Sequence, residues 1–143
     1  FCEEWAEDVA DAFQDLRSCC QDARSPAAKA GSLTVDAWRE RSVQDQPATA
    51  FLAAQDFVSV SRLLVAVADG IAELPDRPPA EKLDRLAEWA FATLAFVELP
   101  LFDDAQYQLQ RLRRACKRLI AGGAARAKPS LLLVIVTRVF GQK

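Results

Sequence analysis

One proline constrains this chain more than any other residue. The run Glu88–Lys117 reads EWAFATLAFVELPLFDDAQYQLQRLRRACK, apolar with helical spacing at its start and again at its end, and broken at Leu99-Pro100-Leu101. Proline has no N–H and clashes with the turn before it, so a helix cannot run through it. The first helix must stop there. A second begins at Asp103, whose carboxylate, with Gln106 three residues on, has the form of a capping box.

The rest of the chain follows the same helical period. Cys2, Trp5, Val9, Ala12, Phe13, Leu16, Cys20 and Ala23 share one stripe, with Glu4, Glu7, Asp8, Asp11 and Asp15 opposite. That is a long amphipathic helix, ended by Ser25-Pro26. Residues 25–33 are small and polar and read as a loop. Thr34 caps a short helix through Val35 and Trp38, and Gln44–Pro47 marks another loop. Phe57–Ile71 reads as a helix with Phe57, Val60, Leu64, Val67 and Ile71 on one side; its β-branched residues would suit a strand, but its length favours a helix. Pro79 opens a helix over Glu81–Glu98. The helix from Asp103 runs to about Ala121, where Gly122-Gly123 stops it, and residues 124–128 read as a flexible loop. From Pro129 the chain is apolar on all sides, which predicts a central buried helix, with a buried strand as the alternative. The expected fold is all-α, a single domain over residues 1–143 with five or six packed helices.

Composition excludes several classes. At 143 residues with 51% hydrophobic residues, the chain can bury a real core and is not disordered overall. A net charge of -2 argues against a general polyanion binder. The charge is unevenly placed, with residues 1–24 strongly acidic and residues 111–143 basic throughout. There is no His, no C-x-x-C pair and no glycine-rich phosphate loop, so acid–base, zinc and nucleotide chemistry lack their usual groups. Asp103-Asp104 is a carboxylate pair that helix capping explains. We therefore expect no enzyme activity, no cofactor and no metal. Cys19-Cys20 would make a strained vicinal bridge, and Cys2 and Cys116 lie at apolar-face positions that suit buried, reduced thiols. The longest apolar run, Leu131–Val136, is far shorter than the roughly 20 residues that span a bilayer. Phe1 rather than Met opens the chain, which leads us to expect a piece of a longer protein, and no signal peptide is visible.

Two helices carry ordered surface beyond what one core needs. In Glu81–Glu98 the core stripe is Leu83, Leu86, Ala90, Leu94 and Val97. A second stripe holds Arg85, Trp89, Ala92 and Phe96. It forms either a groove that receives a partner helix, with Arg85 at its polar end, or a seat for the domain's own last helix. In the helix from Asp103, Ala105, Leu109, Leu112, Cys116 and Ile120 face inward. Tyr107, Arg111, Arg114 and Arg118 line the other side, as a solvated face or as a site for an acidic protein surface or nucleic acid.

The order of these pieces resembles the C-terminal helical domain of the Gemin-two family, the survival-motor-neuron (SMN)-interacting proteins. The resemblance rests on Trp89, Leu94, Ala95, Glu98, Pro100, Leu101 and Arg113-Arg114-Ala115-Cys116. It extends to Pro129 with Leu131 and Leu133, to Thr137-Arg138, Phe140 and Gln142, and more loosely to Trp5, Val9, Phe13 and Arg17. It implies a scaffold subunit of the SMN complex, at work in the cytoplasm and nucleus on the Sm core of spliceosomal small nuclear ribonucleoproteins. Its partners would be a short SMN helix at Arg85, Trp89, Ala92 and Phe96, and Sm proteins, above all the D-type pair, with Tyr107, Arg111, Arg114 and Arg118 as the candidate contacts. No membrane and no sequence-specific nucleic acid is implied. The family's N-terminal arm, which reaches around the other Sm proteins, has no counterpart here. One departure is Glu88, where the family has a basic residue that pairs with an acidic SMN residue; Arg85, one turn earlier, is the candidate substitute. The competing reading is a generic helical adaptor or RNA-binding module that uses the basic face.

Overall fold

In the computed structural model, which describes residues 2–24, 33–98, 101–123 and 127–142, every element is helical. The helices are α1 (Glu3–Asp22), α2 (Val35–Gln44), α3 (Thr49–Ala53), α4 (Phe57–Ala72), α5 (Ala80–Phe96), α6 (Asp103–Ala121) and α7 (Ala127–Val134), which runs into a π-helical turn, Ile135–Val139. The described residues thus form seven α-helices rather than the expected five or six, and the one not expected is α3. It is one turn long, too short to show a period, and it seats Leu52 in the core.

One apolar cluster runs from Phe13 to Phe140. Within it α4 packs against α2, α5 and α6, while α5 also meets α1, α2, α3 and α7. The apolar run after Pro129 resolves as a helix, and Leu132, Val134, Ile135 and Val136 are all buried, as the all-round apolar pattern requires. Ala127 and Lys128 already belong to it, so the expected loop is shorter at that end; residues 124–126 lie outside the described set. The helix widens at its end. Phe140 N–H donates to Ile135 O at 3.3 Å, and the Thr137 hydroxyl donates to Leu133 O at 2.8 Å.

Local signals place most boundaries. The Thr34 hydroxyl accepts from Ala37 N–H at 3.1 Å, and Asp56 caps α4 by accepting from Ser59 N–H at 2.7 Å. Gly123 adopts φ 85° and ends α6 in the left-handed conformation glycine favours. The capping box at Asp103 does not form. Phe102 is the N-cap, Asp103 and Asp104 sit inside the first turn, and Gln106 reaches back to Leu101 O at 3.3 Å. The two carboxylates complement the helix dipole instead. The expected loop at 25–32 and the residues Leu99 and Pro100 lie outside the described set.

The main correction concerns α1. Its buried residues are Ala6, Phe13, Arg17 and Cys20. Trp5 and Leu16, expected in the core, are 37% and 48% exposed, and Cys2, Ala12 and Ala23 are exposed as well. Phe57 is likewise 39% exposed rather than buried. The rotation of α1 has a polar cause. Arg17 turns inward and donates to Leu94 O. Gln21 donates to Ala95 O at 3.3 Å, and Arg24 to Phe96 O and Gln55 O, both at 2.7 Å. Burial lowers the pKa of Arg17 from its ordinary value, and its guanidinium lies 4.8 Å from the centre of the Phe140 ring.

All four cysteines are free thiols; Cys116 is buried as expected, whereas Cys2 is exposed at the helix start. Desolvation pushes the Cys116 thiol up to about 12. The folded state therefore holds this proton after the unfolded chain has lost it. Its stabilising effect is complete below about 9, the ordinary thiol value, and fades as pH rises toward about 12. Thiol titration with Ellman's reagent should label Cys2 and Cys19 at once and Cys116 only on unfolding. Cys116→Ala should flatten the alkaline fall in stability. In urea melts, Leu132→Ala should lose about 2–5 kcal/mol. Arg17→Met should lose about 1–3 kcal/mol, because it strands a buried carbonyl. A neutral Arg17→Met would show that this contact does not hold α1 in place.

Candidate partner-binding site

Leu83, Leu86, Ala90, Leu94 and Val97 of α5 are buried in the common core, as their spacing predicts. The second stripe divides. Trp89 and Phe96 are 1% and 2% exposed, whereas Arg85 and Ala92 are half-buried. The Trp89 indole N–H donates to Asp45 O at 2.8 Å, and its ring meets Trp38 edge-on with centroids 6.0 Å apart. The Trp38 N–H in turn donates to Ser59 O at 3.0 Å. The two large rings are thus core residues, since α5 is packed on most sides, and an open groove between them is not formed.

The open surface lies beside them. A cleft of about 730 Å³ runs between the end of α2 and the first turns of α5, with Val43, Gln46, Lys82, Arg85 and Leu86 among its lining residues. Among the described residues Arg85 forms no ion pair. Glu88 turns to Lys128 of α7, which lies 3.9 Å from it and 3.4 Å from Asp84. Sequence reasoning missed this cleft. Its signal was Val43, an apolar residue near the end of a polar helix, which stays exposed.

The basic row on α6 also divides. Arg111 pairs with Asp69 and donates to Gln108 Oε1 at 2.9 Å. Arg118 reaches Asp76 at 2.8 Å and Ala72 O at 3.2 Å. Arg39 of α2 pairs with Glu73, which raises the Arg39 pKa further, chiefly through that hydrogen bond. Asp69 of α4 and, just past its end, Glu73 and Asp76 therefore bind arginines from two neighbouring helices. Arg114 and Tyr107 stay exposed. Among the described residues no three metal-ligating side chains converge, and no helix is long and apolar enough to cross a membrane.

The sequence model of the survival motor neuron (SMN) interacting protein 1 (SIP1) family matches residues 2–143. The chain belongs to this family. Its fold is also that of a chain in a solved structure of the 8S snRNP assembly intermediate, with a TM-score of 0.77 and 21% identity over 99% of this chain and 72% of that one. No curated protein matches it significantly. As a member of the family, the chain keeps its family-like residues mostly inside. Trp89, Leu94, Ala95, Cys116, Phe140 and Gln142 are all buried. Substitution at these positions should therefore act on the fold first. Thermal unfolding of Trp89→Phe, which loses the bond to Asp45 O, should show a loss of about 1–3 kcal/mol, and a neutral result would show that the indole N–H is dispensable.

Proposed function

We propose that this chain is a non-catalytic scaffold for assembly of the Sm core of small nuclear ribonucleoproteins, and that it holds a short SMN helix and contacts Sm proteins. The observation that carries this reading is membership, over residues 2–143, of a family defined by interaction with SMN. The fold shared with a chain of the 8S snRNP assembly intermediate supports it. The cleft between α2 and α5 suits an amphipathic helix, since Val43 and Leu86 offer apolar contact and Arg85 a charge for an acidic partner residue. In this reading Arg85 takes the role of the family's basic residue, and half-buried Ala92 lies on the same stripe of α5. Trp89 and Phe96 act from beneath by fixing α5. On α6, Tyr107 and Arg114 meet an acidic surface of a Sm protein, while Arg111 and Arg118 hold that face to α4.

A general RNA-binding role fits less well. Two of the three arginines in the row are already paired with carboxylates, and each neutralised cation removes one counterion-releasing contact. Arg85→Glu should weaken binding of a labelled SMN helix peptide about tenfold or more, roughly 1.4 kcal/mol, with an unchanged circular dichroism spectrum. Ala92→Arg should also abolish binding, but with a loss of stability, since Ala92 packs against the core. Tyr107→Ala with Arg114→Ala should slow capture of a Sm pair. An Arg85→Glu variant that binds the peptide unchanged would remove the helix from this cleft. RNA binding tighter than about micromolar, with a steep salt slope that Arg114→Ala flattens, would put the RNA reading first.

A further inference from the structure

At the far end of α5, away from Arg85, a second cleft opens between α4 and the start of α6. Val60 and Leu64 of α4, Phe96 and Val97 of α5, and Ala105 of α6 line it. Phe57 and Phe102 are also lining residues, and their rings touch edge-to-face with centroids 5.6 Å apart. Phe102 is 62% exposed. Two phenyl rings left in water are an unusual use of apolar surface, and here they border a concavity. Glu98 and Asp104 add negative charge to the lining. Arg24 lies 3.6 Å from Glu98 and already donates to two backbone carbonyls.

We propose that this cleft binds a peptide segment of a partner protein through one bulky apolar side chain flanked by Lys or Arg. The cavity is about 200 Å³, below the roughly 300–1,000 Å³ of small-molecule sites, so it suits one side chain rather than a cofactor. The aromatic rings supply the contact that a buried anchor needs. The carboxylates of Glu98 and Asp104 select a basic flank and repel an acidic one. They also disfavour a second copy of this chain, whose own two carboxylates would face them, and a fatty acid, whose headgroup is anionic. The site does not depend on the α2–α5 cleft.

A random short-peptide display library panned on the folded chain tests this. Recovered sequences should share one bulky apolar residue beside Lys or Arg. Synthetic copies, titrated by fluorescence anisotropy, should lose about tenfold or more in affinity on Phe102→Ala and several-fold on Asp104→Asn. Both residues are exposed, so the circular dichroism spectrum should hold, with at most a small fall in unfolding temperature from the lost Phe57 contact or dipole charge. Arg85→Glu should leave this binding intact, which separates it from loss of the SMN helix. No enrichment, an acidic consensus, or unchanged affinity in Phe102→Ala would overturn the proposal. So would concentration-dependent self-association that Phe102→Ala abolishes, since the occupant would then be another copy.

Discussion

The structure depends on how α5 ends. A helix leaves its last carbonyls without intrahelical donors, and when they are buried something else must supply N–H groups. In α5 the Thr93 carbonyl still receives Val97 N–H at 3.0 Å. The next three, Leu94, Ala95 and Phe96, receive Arg17, Gln21 and Arg24. Arg17 and Gln21 stand one turn apart on α1 and Arg24 follows just past its end, so one setting of the helix serves all three. Pro100 carries no N–H for the Phe96 carbonyl four residues before it. The proline visible in the sequence thus creates a need that Arg24 meets. Arg24 also takes Gln55 O, between α3 and α4. A buried set follows, in which the Ser59 hydroxyl donates to Gln55 Oε1 at 2.7 Å and accepts from Leu33 N–H at 3.3 Å. One row of donors therefore ties α1 to α5 and to the entry of α4.

That rotation decides what the surface shows. With Arg17 inward, Leu16 beside it must point outward, and Trp5 moves with it. An apolar residue is exposed so that a cation can be buried. The exchange holds because a stranded buried carbonyl costs about as much as the burial of one aliphatic side chain returns. Elsewhere charges cancel internally, where Asp69 of α4 and, just past its end, Glu73 and Asp76 take arginines of α6 and α2. The uneven charge of the sequence does not become an equally uneven surface.

What was legible in the sequence follows from these forces. The break before Pro100, the Thr34 cap, the Gly122-Gly123 stop and the buried Leu132–Val136 run each rest on local chemistry, and each is found. The face of α1 was misread, because an apolar stripe counts side chains and ignores carbonyls on a distant helix. Cys2 was misplaced for the same reason. The α3 turn has no period to detect. The second α5 stripe was read as a partner groove or as a seat for the last helix, and Trp89 and Phe96 of it are buried, because five elements crowd around α5. The clefts were hardly legible, with Val43 the one local hint. Each lies between helices distant in sequence, and no single stretch carries its shape.

Most of the family-like residues therefore serve the fold. Arg17 and Phe140 stand at opposite ends of the chain, and each fits a family pattern. In the structure they are one contact, with Arg17 between the Leu94 carbonyl and the Phe140 ring. Trp89 joins Trp38 and Asp45 in the same way. Scattered positions read as one signature because they converge on a few buried contacts that set how the helices cross. Groups at the surface such as Arg85 and Phe102 carry no such obligation to the interior. Such positions can change while the fold persists at 21% identity. A chain of this kind reveals its family mostly through its core, and its surface clefts only once the helices are in place.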